Sequence, residues 1–380
     1  MMGEEYSVNY FEKSSASNPE DLGFYSNRLK DIDKLLFKLI SKKRIQAAGY
    51  LISKDNKIVV NKSLGRLRYN EERGFMPDSI REIASITKLF TAVSILQLVE
   101  KGLIRLDQPV AEIIGEFKSA MLEKINIFHL LTHTSGIRPD PGVYFEPYPL
   151  DWDTLFQKDW LKGFLSDFSS IDPGKEWKYS SSGFVILGEI IKRVSGSSCE
   201  DYVMNNIVNP LGMRSTYYDI PLELKDRVCF ANEMEEKSFY EIKVESKFDM
   251  PRGGGGLHST LEDMQKFAQM LINKGTYNGV RILSRKTVEA MTRNQLKGIK
   301  NYCWGAGGIE IEYGLGMNVY SNDTFLSPGS FAHEGAGLSG LFMDPVENVV
   351  FAYMCPLCEG VEWEPEAVIN LRNIVWSAII

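Results

Sequence analysis

The chain has 380 residues, long for a single hydrophobic core, which fits two packed lobes or one large α/β unit with insertions. Its 44% hydrophobic and 24% charged residues are ordinary for a globular protein, and a formal net charge of -7 without a basic block argues against nucleic acid as the main partner. No stretch is apolar for long enough to span a bilayer, so no membrane association is expected, and five scattered cysteines do not make a disulfide framework.

The start, "MMGEEYSVNYFEKSSASNPEDLGF", lacks a basic region followed by an apolar run, so the expected location is cytoplasmic. Residues 1–22 are polar and read as a flexible segment before a catalytic domain over 23–380. Next, Leu29, Ile32, Leu35, Leu36, Leu39 and Ile40 recur at helical spacing. "AAGYLISKDNKIVVNKSLG" reads as two strands around a turn at Asp55 and Asn56. "SITKLFTAVSILQLVE" reads as a helix ending near Glu100 before Gly102, apolar nearly all round and therefore buried.

Two further helices stand out in the middle, "FVILGEIIKRVSG" and "STLEDMQKFAQMLINKG", the second with a capping box of Ser259 and Glu262. The last third turns to strands, "GGIEIEYGLGMNVY", "SFAHEGAG", "SGLFMDP" and "NVVFAYMC", and closes with the helix "PEAVINLRNIVWSAII". The expected fold is α/β. A mainly antiparallel sheet from both chain ends (about 23–80 and 280–380) is flanked by helices, and a mostly helical lobe (about 81–279) is inserted between them.

Ser85 and Lys88 stand three residues apart, near neighbours on one helix face. A serine hydroxyl is a weak nucleophile until a base takes its proton. A lysine can be that base only when neutral, the direction in which burial moves it. At a helix start the free backbone N–H groups also favour developing negative charge. Alone, an S-x-x-K pair recurs by chance.

Other motifs carry less. "GGGG" at Gly253–Gly256 lacks the Lys-Ser or Lys-Thr of a phosphate loop and reads as a turn. His129 and His133 are four apart, but there is no H-E-x-x-H and no evident third ligand, so no metal or other cofactor is expected. Cys355 and Cys358 have redox spacing at a strand end, where buried thiols are the expectation. The segment holding Tyr144, Phe145, Tyr148, Trp152, Phe156 and Trp160 reads as packing, or as an apolar wall over a site to which Tyr144 and Trp152 would contribute. There is no G-x-S-x-G.

"EWKYSSSGFVILGEII" places Tyr179 and Ser181 before a helix, and "GSFAHEGAGLSGLF" carries His333 and Gly335. With Ser85 and Lys88, the order S-x-x-K, Y-x-N, K/H-x-G resembles the serine β-lactamase and penicillin-binding-protein superfamily, in its class-C-like branch with related esterases and D-peptidases. "LLTHTSGI", "NPLGMRSTYY" and "GGGGLHSTLEDMQKFAQML" extend the resemblance over about residues 30–356. It implies Ser85 as the acylated nucleophile, Lys88 as its proton partner, Tyr179 as a second acid/base group and His333 as the cationic or hydrogen-bonding member of the third motif. The oxyanion hole would be the backbone N–H groups of Ser85 and Ala336.

Two departures matter. Ser181 stands where the family usually has asparagine and reaches less far. Glu334 stands where family members acting on penicillins have a hydroxyl that holds a carboxylate; a carboxylate facing the site would repel such a substrate. The expected function is hydrolysis of a small ester, amide or β-lactam through a Ser85 acyl-enzyme, with acyl transfer chemically equivalent. The alternative is a penicillin-binding or sensor protein that is acylated without efficient turnover. Ser181, Glu334 and Gly335 are the expected substrate contacts.

Overall fold

The computed structural model describes residues 8–13, 18–119, 122–137, 140, 160–161, 165, 172–244, 250–358 and 365–380. Asp55 and Asn56 both turn through the left-handed region, at φ 52° and 61°. A two-residue hairpin of matching twist requires that conformation, and Asp and Asn tolerate it better than most residues. The strands they fall between are β2 (Ala47–Lys54) and β3 (Lys57–Gly65). With β1 (Tyr10–Glu12), β4 (Asn318–Tyr320), β5 (Ser330–Gly335), β6 (Ser339–Asp344) and β7 (Val349–Met354), they form a seven-stranded sheet. Its order is β1-β3-β2-β7-β6-β5-β4, and every neighbouring pair is antiparallel.

Within the segment 1–22, β1 pairs antiparallel with β3, Tyr10 opposite Leu64 and Glu12 opposite Lys62. Tyr10 stacks on Phe37 at 6.3 Å between centroids. Phe11 covers Gly74, where a Cβ would lie 2.2 Å from its ring.

The principal helices are α1 (Ser26–Ser41), α2 (Thr87–Glu100), α3 (Ser181–Ser195), α4 (Leu261–Ile272) and α5 (Pro365–Ser377). α1 and α5 cover one face of the sheet, burying Leu29, Ile32 and Trp376 with Phe342, Phe351 and Tyr353. α2 and α4 lie on the other, where Phe90 and Phe267 pack with Leu51, Leu341 and Ala352. In α2 every residue from Thr87 to Leu98 is buried, Lys88 included. Beyond it Gly102 takes φ 69° and returns its N–H to Val99, the left-handed stop that glycine permits.

The cap of α4 is displaced by one residue from the expected Ser259–Glu262 box. Thr260 is the N-cap, accepting from the Asp263 N–H. Ser259 is committed elsewhere: it pairs with Arg81 in a short ladder, and its hydroxyl meets that of Thr216 at 2.8 Å. Glu262 turns out to Lys13 and Asn61. Among the described residues no helix is long and apolar enough to cross a membrane.

Candidate active site

Ser85 lies in the 3-10 turn Ala84–Ile86 that leads into α2. Ala84, just before it, has φ 44°, a conformation an L-residue adopts only when its surroundings enforce it. The Ile83 N–H donates to Leu257 O at 2.9 Å, and the Ser339 hydroxyl donates to Ile83 O at 3.2 Å. Gly335 ends β5 against this turn: a Cβ there would sit 2.4 Å from Ile83 O and 2.5 Å from Ser339 Oγ. Only glycine permits that approach, which brings the residues after β5 beside Ser85. Ala84 and Ala336 line one cavity of about 390 Å³.

Lys88 is fully buried one turn further on, with Nζ 3.0 Å from Ser85 Oγ, 2.9 Å from Ser181 Oγ and 2.9 Å from Gly254 O. Burial pulls its pKa down to about 8, partly opposed by the negative charge of Asp140. The glycine run is a close-packing device. A Cβ at Gly253 would lie 2.2 Å from Phe184 O, and one at Gly254 would lie 3.2 Å from Ser181 O. Thr91 Oγ1 holds Gly253 O at 2.7 Å, so the neighbouring Gly254 carbonyl faces Lys88.

Tyr179 and Ser181 open α3, whose N-cap Ser180 accepts from the Gly183 N–H. The Tyr179 ring centre is 4.8 Å from Lys88 Nζ, and the Ser85 side chain draws the Tyr179 pKa down against the larger effect of burial. Burial pushes the phenol well above its ordinary pKa, so it is protonated. His133 packs on the same ring at 4.5 Å. Its Nδ1 accepts from the Ser180 N–H, and burial keeps it neutral. His129 closes a capping box with Asn126, so the two histidines serve separate backbone groups.

His333 and Glu334 leave β5 on opposite faces. His333 pairs across the sheet with Leu341, on the Ser85 side. Its Nδ1 lies 2.8 Å from the Glu334 carbonyl oxygen, which can only accept, so Nδ1 carries the proton and Nε2 is an acceptor. Burial and Lys88 hold its pKa down to about 3, which removes the cationic role. Glu334 pairs with Gly340, and its carboxylate takes the Tyr353 hydroxyl at 2.8 Å among residues packed under α1 and α5. Its expected contact with substrate is therefore corrected: strand alternation turns it away.

Asp140 was not singled out in the sequence. Its carboxylate accepts the N–H and the hydroxyl of Ser181, both at 2.5 Å. Its one trace in the sequence is an acidic residue between two prolines, Pro139 and Pro141. Trp304 was also missed. It is 56% exposed on a left-handed backbone and packs on Tyr179 at 5.3 Å. Tyr144 and Trp152 lie outside the described residues. Cys355 and Cys358 are free thiols with pKa values raised by burial.

The sequence profile of the family described as "Beta-lactamase" matches residues 32–365. A candidate D-alanyl-D-alanine carboxypeptidase of Escherichia coli O157:H7 is 25% identical over 394 residues, covering 89% of this chain and 84% of the relative. Among solved structures, the octameric penicillin-binding protein homologue from Pyrococcus abyssi superposes with a TM-score of 0.69 at 26% identity, over 91% of this chain and 77% of that one. A family VIII carboxylesterase shares the fold, with a TM-score of 0.70 at 21% identity over 94% and 99%.

Proposed function

The chain belongs to the Beta-lactamase family, and from that premise we propose that it hydrolyses neutral, apolar esters or amides through an acyl-enzyme on Ser85. It is a serine hydrolase of the β-lactamase-related type. The observation that carries the proposal is the fully buried Lys88 amine 3.0 Å from Ser85 Oγ, with its pKa drawn to about 8. Near neutrality an appreciable fraction is neutral and can act as a base.

In acylation Ser85 Oγ bonds to the substrate carbonyl carbon while its proton passes to Lys88. The carbonyl π pair moves to oxygen, facing the Ser85 and Ala336 N–H groups. One such donor is worth roughly 3 kcal/mol in the transition state. On collapse the alcohol or amine takes the Tyr179 phenolic proton, and Tyr179 recovers one from the Lys88 ammonium. Water then attacks the acyl carbon, its proton goes to Lys88, and collapse returns a proton to Ser85 and frees the acid. The raised pKa of Tyr179 suits a relay that is never left ionised.

We assign the acyl portion to the cavity beside Ala84 and Ala336, whose apolar walls Ile220, Phe230, Met234 and Phe239 stand with the charged residues Arg81, Glu82, Asp219, Glu235 and Arg252. Its Arg81 is paired with Glu235 at 3.0 and 3.2 Å. Neutral His333 offers an acceptor, which disfavours a substrate carboxylate. The site lies at the junction of the two lobes proposed here, about 23–80 with 280–380, and about 81–279. Five free thiols favour a reducing, cytoplasmic compartment.

The test is intact-protein and peptide mass spectrometry after brief mixing with p-nitrophenyl acetate, alongside steady-state turnover. An acetyl group on Ser85, with turnover lost in Ser85→Ala, is expected. A stoichiometric burst with no steady state would make the protein an acylated sensor. An adduct on Ser180, Ser181 or Ser339 would overturn the assignment.

A further inference from the structure

We propose that Asp140 is a positioning residue that fixes the direction of the hydrogen bonds around Lys88, acting through Ser181, so that the lysine lone pair is left for Ser85. The inference rests on the acyl-enzyme reading above and deepens it.

The argument is an inventory of protons. Ser181 Oγ has one proton and two lone pairs. Asp140 accepts both the Ser181 N–H and the Ser181 O–H, each at 2.5 Å. With its proton committed, Ser181 Oγ meets Lys88 Nζ, 2.9 Å away, only as an acceptor. The Gly254 carbonyl, also at 2.9 Å, is an acceptor by nature. A neutral lysine has two N–H bonds and one lone pair. Both N–H bonds are used by Ser181 and Gly254, and the remaining direction is that of Ser85 Oγ at 3.0 Å. The lone pair therefore points at the proton it must remove. If Ser181 were free to donate, its hydroxyl would compete with Ser85 for that lone pair.

Asparagine cannot replace Asp140 in this role. Its amide has one oxygen and one NH2, whereas Ser181 presents two donors. The arrangement that satisfies every group gives the amide oxygen to the Ser181 N–H and an amide N–H to Ser181 Oγ. That releases the Ser181 proton toward Lys88. In the family pattern an asparagine stands where this chain has Ser181, and an amide brings its own acceptor carbonyl. Here a short serine with a carboxylate behind it supplies the same acceptor from two residues 41 positions apart.

Asp140 also acts through charge. Lys88 is faced by Tyr179 and Ser181 from the start of α3, His133 from the loop after Ile127–Leu131, His333 from β5, and Asp140. Burial keeps both histidines neutral and Tyr179 protonated, so Asp140 is the charged group of this set. Its negative charge favours the ammonium form. Removing it makes Lys88 easier to deprotonate, so the acid limb of kcat/KM moves to lower pH.

The experiment measures kcat/KM for p-nitrophenyl acetate against pH in the wild type, Ser85→Ala, Asp140→Asn, Asp140→Ala and Asp140→Ala/Ser181→Asn, with melting curves for each. Asp140→Asn is expected to lower the plateau roughly 10- to 100-fold, the scale of a misdirected rather than a missing base. Its acid limb should move down by about one pH unit. Asp140→Ala should fall similarly, and the added Ser181→Asn should restore most of that loss by filling the vacated space with an acceptor carbonyl. A structural defect would lower the rate without moving the limb and would not be rescued by a larger side chain. An unmoved or raised acid limb, or no rescue, overturns the inference. Should Asp140→Asn fail to fold, the Asp140→Ala pair decides it. If Ser85→Ala keeps its activity, the acyl-enzyme reading itself has failed. If Ser85→Ala is inactive while Asp140→Asn matches the wild type, only the role of Asp140 is lost.

Discussion

Tyr353 reaches over Gly340 to give its hydroxyl to Glu334 at 2.8 Å, on the face of the sheet turned away from Ser85. A Cβ at Gly340 would lie 2.2 Å from the Tyr353 ring, so the glycine between them makes the contact possible. Burial raises the Glu334 pKa, with the Tyr353 hydroxyl partly opposing it. Glu334 thus belongs to the fold.

Glu334→Gln keeps an acceptor for Tyr353 and removes a buried charge. A carboxyl whose folded pKa is raised adds stability below its ordinary value and loses it as pH rises through the folded one. The variant should therefore melt above the wild type at pH 7.5, by about 2 °C or more, with the gap closing toward pH 4. Glu334→Ala leaves the Tyr353 hydroxyl without its acceptor and should destabilise by about 1–3 kcal/mol. Neither should change the preference between neutral and charged substrates, measured by kcat/KM. A changed preference would mean that the carboxylate reaches the site.

Lys88 links rate and stability with opposite demands. The base must be neutral, so kcat/KM should rise with pH through about 8 and then level. Burial lowers its folded pKa from 10.5 to about 8, so below that value the fold holds an unfavourable buried ammonium. Stability from this group should grow as pH rises from about 8 to 10.5, by roughly 3 kcal/mol in all. Lys88→Met should abolish acylation, raise the melting temperature at pH 7 and flatten this rise. A Met variant less stable than the wild type at pH 7 would show the ammonium to be well compensated.

The parts of the site legible in the sequence are the local ones. Ser85 and Lys88 share a helical turn inside an apolar run, and a lysine in such a run needs a reason. Asp140 bonds Ser181 across a separation of 41 residues, and a loop carboxylate leaves no periodic trace. The Gly254 carbonyl is backbone and has no residue type to betray it. The face taken by Glu334 depends on the register of β5 against β6, which a shift of one residue would invert. The α4 cap moved from Ser259 to Thr260 because Thr216 claims the Ser259 hydroxyl, a tertiary contact overriding a local signal.

Trp304 holds 56% of its surface exposed on a backbone at φ 51°, beside Trp177 and Tyr179. A large exposed ring on a left-handed backbone next to Tyr179, the proton relay proposed above, is suited to stack on the leaving group. Trp304→Gly relieves the backbone and removes the ring. It should leave the melting temperature unchanged or slightly raised, and increase KM for phenyl esters more than for methyl esters of the same acid. Stacking is worth about 0.5–1.5 kcal/mol, or roughly 2- to 12-fold. Equal effects on both esters would remove Trp304 from the leaving-group side.

The substrate preference follows from three residues. His333 is neutral, with Nε2 an acceptor, so it grips a carboxylate poorly. Glu334 replaces a carboxylate-holding hydroxyl and is turned away, so neither grip nor repulsion comes from it. For the same reason Glu334 lends the site no attraction for a substrate ammonium group. Ser181 spends its proton on Asp140 and has none to offer a side-chain amide. The cavity beside Ala336 has apolar wall from Ile220, Phe230 and Phe239, and its two arginines are paired, Arg81 with Glu235 and Arg252 with Asp219. Short aryl esters should therefore exceed both a D-amino-acid amide and a chromogenic cephalosporin in kcat/KM on one preparation. A preference for the cephalosporin of tenfold or more, about 1.4 kcal/mol of transition-state discrimination, would contradict this reading, because an anionic substrate would then be held by a group other than these three.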